Sequence, residues 1–117
     1  AYVRSKPKGH GVGRQIEGAE TAGKKVAVIE DLISTGGSSI NAAEVLKNSG
    51  AASVEVKAIF SYNFKSAYEN FDKINCKWDT ISNFDILIEL LKNEKYLTEA
   101  EAKTALAWNK DPENWGK

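Results

Sequence analysis

The chain has 117 residues, with 16 basic and 16 acidic side chains and a single histidine. That length fits one domain able to bury more than half of its unfolded surface. The balanced charge excludes a general polyanion-binding role, so any phosphate or nucleic-acid site must be local. No apolar run approaches the roughly 20 residues of a membrane span, and no signal peptide is apparent. The lone Cys76 cannot form an internal disulfide, which points to a reducing, cytoplasmic setting and to packing rather than thiol catalysis. The chain contains no methionine and opens on "AYVR", which reads as a strand already under way; the expectation is a piece of a longer protein, cut or processed near residue 1.

After "AYVR", the stretch "SKPKGHGVGRQ" (residues 5–15) holds three glycines, a proline and several basic side chains without apolar periodicity. It reads as a long loop, and structureless loops of this length are usually functional or disordered. "IEG" is then a short strand, and residues 18–24 a turn. "KVAVIE" (25–30) is a near-continuous β-branched run, the pattern of a strand covered on both faces. A glycine turn leads into a helix, "SSINAAEVLKNSG", with Ser38 or Ser39 placed to cap it, Ile40, Ala43, Val45 and Leu46 on its buried side, and Gly50 ending it. "ASVEVKAIFSY" (52–62) is the next strand. Strand, helix, strand in this order predicts a right-handed βαβ unit and a parallel sheet. A second, weaker amphipathic helix (64–75) and a short strand (77–82) follow. Two further helices are expected: "NFDILIELLKNEKY" with Ser82 or Asn83 as its cap, and "TEAEAKTALAWNKD" opened by a Thr98-x-x-Glu101 capping box. The whole reads as a single α/β domain.

Chemistry concentrates where the 25–30 strand hands over to its helix, because open α/β sheets bind ligands beyond the carboxyl ends of their strands. Small residues there (Ser34, Thr35, Gly36, Gly37, Ser38) permit close backbone approach, and successive amides at a helix N-terminus form an anion cradle. The hydroxyls of Ser34, Thr35, Ser38 and Ser39 add donors for a phosphate monoester. Walker A is excluded because no lysine follows Gly36 or Gly37. G-x-G-x-x-G is excluded because Arg14 and Ile16 stand where its third glycine belongs. The adjacent acids Glu30 and Asp31 would repel a phosphate unless they address a neutral, hydroxyl-rich part of the same ligand. A ribose diol meets that need, each carboxylate accepting a charge-assisted hydrogen bond. The turn therefore reads as a ribose 5-phosphate site, against the plainer alternative of a capped helix with two solvated acids.

"VAVIEDLISTGGSS" resembles the signature of the type I phosphoribosyltransferases, enzymes that use 5-phosphoribosyl pyrophosphate (PRPP), with every position of the pattern filled. The leading "YVRSKPKGHGVGRQIEG" is similar to the mobile catalytic loop of the orotate phosphoribosyltransferase family, with Arg4, Lys8 and His10 at its Arg-x-x-x-Lys-x-His-Gly positions. "AIFSY", "SNFDILIE" and "WNKDPENW" are similar to that family's Gram-positive bacterial branch. The resemblance covers essentially the whole chain.

It implies a parallel-sheet, Rossmann-like phosphoribosyltransferase fold, incomplete because the family carries a longer N-terminal part. The implied parts are a catalytic loop at 1–15, the PRPP motif at 26–39 and C-terminal helices at 82–117. The implied activity is transfer of phosphoribosyl from PRPP to orotate in pyrimidine (UMP) synthesis, with this piece alone weak or inactive. By the same resemblance Lys8, His10 and Asp31 are catalytic. PRPP is held by Arg4, Lys8, His10, Glu30, Asp31, Leu32, Ile33, Ser34, Thr35, Gly36, Gly37 and Ser38, and Ser34 meets orotate. Mg²⁺ comes bound mainly through PRPP, with no dedicated protein metal ligands. The implied assembly is a cytoplasmic homodimer with shared active sites and no nucleic-acid or membrane partner. In the family's other branch an arginine after the 52–62 strand binds the orotate carboxylate; here Lys65 is the nearest cation. Two other readings stay open: a PRPP-binding regulatory module of the same fold without catalysis, and a purine phosphoribosyltransferase. The basic loop at Lys8 and His10 speaks against both, although such a loop also serves simple solubility.

Overall fold

The structure, a computed structural model, describes residues 1–7, 9 and 15–117. Lys8 and His10 lie outside the described residues.

Three parallel strands form the centre: β3 (Lys25–Ile33), β4 (Ser53–Ser61) and β5 (Lys77–Asn83), in that spatial order. Their registers set Val28 beside Val56 and Val56 beside Trp78. A parallel pair needs a long crossover, and the chain supplies α1 (Gly37–Asn48) between β3 and β4 and α2 (Lys65–Lys73) between β4 and β5. Ala43 and Leu46 of α1 and Ala67 and Phe71 of α2 close over Val54, Val56 and Ala58, the β4 residues that point one way by strand alternation. The Phe71 ring, fully buried, stacks on Trp78 of β5 at 4.8 Å.

Two short strands, β1 (Tyr2–Val3) and β2 (Ile16–Glu17), pair antiparallel apart from this sheet and bring the two ends of the 4–15 segment together. Helices α3 (Phe84–Asn93) and α4 (Glu99–Lys110) form a second cluster, in which Phe84, Ile88 and Ala102 are buried against Phe60, Tyr62 and Trp108. Asn83 caps α3, accepting the Ile86 amide, and the Thr98–Glu101 box caps α4.

Three expectations change. The strand expected over 25–30 runs on to Ile33, so Asp31 as well as Glu30 belongs to β3. Neither Ser38 nor Ser39 caps α1: the N-cap is Gly36 at φ +86°, with no side-chain cap bond, and Ser39 is 1% exposed beneath the helix. Ser39 therefore offers no hydroxyl to a ligand. Nor is β3 covered on both faces. Both crossover helices lie on one side, and the other side leaves Ile29 75%, Ile59 58% and Ile81 83% exposed. A run of β-branched residues carries no signal of which layer will lie against its second face.

Candidate active site

The site is assembled where β3 and β4 end. Val26 and Val28 turn toward the helix-covered face and fix the direction of β3. Glu30 is half-buried and Asp31 exposed, and the regular alternation slips just beyond them, since Ile33 joins Val26 and Val28 in the core while Leu32 is exposed. Asp31 Oδ1 accepts the Leu32 amide at 2.7 Å. Among the described residues β3 lies at an edge of its sheet.

Ile33 is buried, and its carbonyl accepts the Tyr62 amide at 3.1 Å, which ties the end of β3 to the loop after β4. Beyond it Ser34, Thr35, Gly37 and Ser38 are exposed, whereas Gly36 is buried. The first backbone bond of α1 runs from the Ile40 amide to the Gly36 carbonyl at 2.9 Å. The amides of Gly37, Ser38 and Ser39 therefore have no intrahelical acceptor, and the positive end of the α1 dipole lies behind them. Residues 30–38 are thus brought together as one strand, turn and helix start.

Arg4 stands elsewhere, at the root of the 4–15 segment. Its Nε donates to Glu17 Oε1 at 2.8 Å, and Gln15 Nε2 donates to its carbonyl at 2.9 Å. That hydrogen bond and the carboxylate charge hold the guanidinium pKa above its ordinary value. Lys65, the cation nearest the end of β4 in the sequence, pairs on the surface with Glu69 at 3.5 Å.

Several residues that shape the site carry no sequence motif. Asn63 takes a left-handed backbone at φ +58°, a conformation asparagine tolerates better than most residues. Its amide donates to Ser61 Oγ at 2.9 Å and its Nδ2 to Asp85 Oδ2 at 2.7 Å. Asn109 of α4 donates to the Tyr62 carbonyl at 2.6 Å, and Tyr62 stacks on Phe64 at 5.2 Å. The loop after β4 is thereby pinned by both C-terminal helices. Asn70 and Phe71 reach the turn from α2: Asn70 Nδ2 donates to the Thr35 carbonyl at 3.1 Å, and a Cβ on Gly36 would meet Phe71 Cε2 at 2.8 Å.

Among the described residues no group of three or more His, Cys, Asp or Glu could hold a metal ion. The arrangement presents a backbone cradle for one anion, with two adjacent carboxylates upstream of it on a strand at the edge of the described sheet. That donor set suits a phosphate monoester carried on a hydroxyl-rich body.

Comparison with known proteins bears on the same residues. No family model matches the chain. An orotate phosphoribosyltransferase of Listeria monocytogenes serotype 4b is 50% identical over 116 residues, which are 99% of this chain and 56% of that protein. The chain is a homologue of orotate phosphoribosyltransferases. The enzymes of that name from Staphylococcus haemolyticus (50% identical, 92% of this chain and 53% of the relative) and Coxiella burnetii (46%, 97% and 54%) agree. The chain spans about half the length of the curated relatives it matches. A solved structure of Leishmania donovani UMP synthase shares the fold, with a TM-score of 0.67 over 80% of this chain and 21% of that one, at 22% identity. The α/β parallel-sheet reading holds.

Proposed function

We propose that the chain carries the PRPP site and the catalytic loop of an orotate phosphoribosyltransferase, which moves the 5-phosphoribosyl group from PRPP to orotate. The products are orotidine 5′-phosphate and pyrophosphate, on the way to UMP. The observation that carries this reading is the identity of 50% with the Listeria enzyme across 99% of the chain. The strand, turn and helix start at residues 30–38 support it with a geometry fit for a sugar phosphate.

In this reading the open amides of Gly37 and Ser38 and the hydroxyls of Thr35 and Ser38 hold the 5-phosphate. Glu30 and Asp31 accept from the ribose 2- and 3-hydroxyls, and Ser34 meets orotate. The anomeric carbon passes through an oxocarbenium-like state, as in glycoside cleavage, while negative charge builds on the departing pyrophosphate. Lys8 and His10, with Arg4 at the loop's root, supply the compensating donors. Mg²⁺, when bound, would neutralise pyrophosphate charge, with Glu30 and Asp31 touching its water shell. A cytoplasmic homodimer with shared sites belongs to the same proposal. No helix among the described residues is long and apolar enough to cross a membrane.

The test is orotate-dependent release of pyrophosphate from PRPP. It is measured for this chain and for the product of the whole reading frame that contains it. The expected result is slow transfer by the chain alone and ordinary transfer by the longer product. Lys8→Ala in that product should lose roughly two to three orders of magnitude in kcat, the usual cost of removing one preorganised donor. PRPP binding without pyrophosphate release for any base would replace the enzyme reading with that of a regulatory module.

A further inference from the structure

We propose that Asn70 is a positioning residue for the phosphate-binding turn. With the Phe71 ring beneath it, Asn70 fixes the Thr35–Gly36 peptide and so sets how the turn presents its amides to a 5-phosphate. This rests on the PRPP-site reading above and adds a residue that neither the motif nor the catalytic loop contains.

Two consecutive side chains of α2 brace the turn from one side. Asn70 Nδ2 donates to the Thr35 carbonyl at 3.1 Å, across 35 residues of sequence. Phe71, fully buried and stacked on Trp78 of β5, lies where a Cβ on Gly36 would come within 2.8 Å of its ring. No peptide among the described residues is cis, and a trans peptide is planar, so its carbonyl and the next amide point in opposite directions. Holding the Thr35 carbonyl toward α2 therefore turns the Gly36 amide away from α2. Gly36 is the N-cap of α1, so the same peptide also sets the entry angle of the helix whose first amides are open. A cradle made of backbone dipoles is effective only when it is fixed before the ligand arrives, and these two contacts provide the fixing.

Local preference does not account for asparagine here. Position 70 lies inside a nine-residue helix, where asparagine is a poorer choice than alanine, lysine or glutamate. A residue that breaks a local rule calls for a compensating contact, and the bond to Thr35 is the contact present.

The experiment uses the whole chain and ribose 5-phosphate as the probe, followed by the backbone amide shifts of Gly36, Gly37 and Ser38. Asn70→Ala removes the donor while favouring the helix. The expected result is an affinity weakened about five- to tenfold, the worth of one net hydrogen bond, with the thermal midpoint held or raised. Asn70→Gln, which can still reach the carbonyl, should recover most of the affinity. If Asn70 were only a stitch between α2 and the turn, Asn70→Ala would lower the thermal midpoint and leave the affinity unchanged, and that result overturns the proposal. Should Asn70→Ala fail to fold, Asn70→Ser provides the same comparison. Absence of any shift in the turn amides of the unsubstituted chain would overturn the PRPP-site reading as well. Binding by the unsubstituted chain with equal binding by the variant overturns the positioning role alone.

Discussion

Gly36 concentrates the physical demands of the site in one residue. Its φ of +86° is left-handed, which costs a residue with a Cβ about 1–2 kcal/mol. An added Cβ would also press on a buried ring that is held by its own stacking, and overpacking of that kind costs about 1–3 kcal/mol. Gly36→Ala should therefore destabilise the chain by about 2–5 kcal/mol. The expected signature is a lower urea midpoint with an unchanged slope, and a midpoint within error of the unsubstituted chain would refute this account. Cys76 makes the opposite case. It is 6% exposed, its Sγ lies 3.6 Å from the Val54 carbonyl, and burial pushes the thiol pKa above its ordinary value. It remains a protonated packing group at neutral pH, as its isolation in the sequence indicates. The motif made residues 30–38 legible because its residue types state their own chemistry. Asn63, Asn70 and Asn109 were not legible, because side-chain amides that reach partners 22, 35 and 47 residues away leave no local pattern.

Helix ends show the same division between local and distant causes. The caps of α3 and α4 could be read directly, since Asn83 and Thr98 act on amides three residues on and need nothing else. The start of α1 could not. Gly36, packed against the Phe71 ring from α2, stands at its terminus, and Ser39 is buried. The α4 box also supports the site, because α4 carries Asn109 to the loop after β4. Thr98→Ala should cost about 1 kcal/mol of stability. The Glu101 carboxyl is held below its ordinary pKa, first because it accepts the Thr98 backbone amide and then through the Thr98 side chain. A depressed folded-state pKa means that the contribution is complete above the unfolded value, roughly 4.3, and is lost as the pH falls through the folded one. The stability difference between the unsubstituted chain and Glu101→Ala should thus be full at pH 7 and shrink toward pH 3. A difference that stays constant over that range would show that the carboxylate's charge has no part in the cap.

For the molecule as a whole, the informative feature is what the sheet leaves open. The radius of gyration is 17.5 Å, with extents of 54 × 29 × 23 Å, against about 13 Å for a compact chain of this length. Parallel sheets are ordinarily covered on both faces, yet here Ile29, Ile59 and Ile81 line one shallow groove across all three strands. Beside them Lys57 is paired with Asp79 at 2.7 Å and Glu55 at 3.4 Å, and Glu30 also lines the groove, so the apolar stripe is flanked by a small net negative charge. The isolated chain should self-associate through this face, as contiguous exposed apolar patches do. Sedimentation equilibrium over a concentration series would measure it. Ile59→Lys and Ile81→Lys together should shift the chain toward monomer. Both residues are largely solvent-exposed, so each replacement should change folding stability by no more than about 0.5 kcal/mol. A chain that stays monomeric across the series, or a double variant that associates as before, would show that the three isoleucines do not drive association.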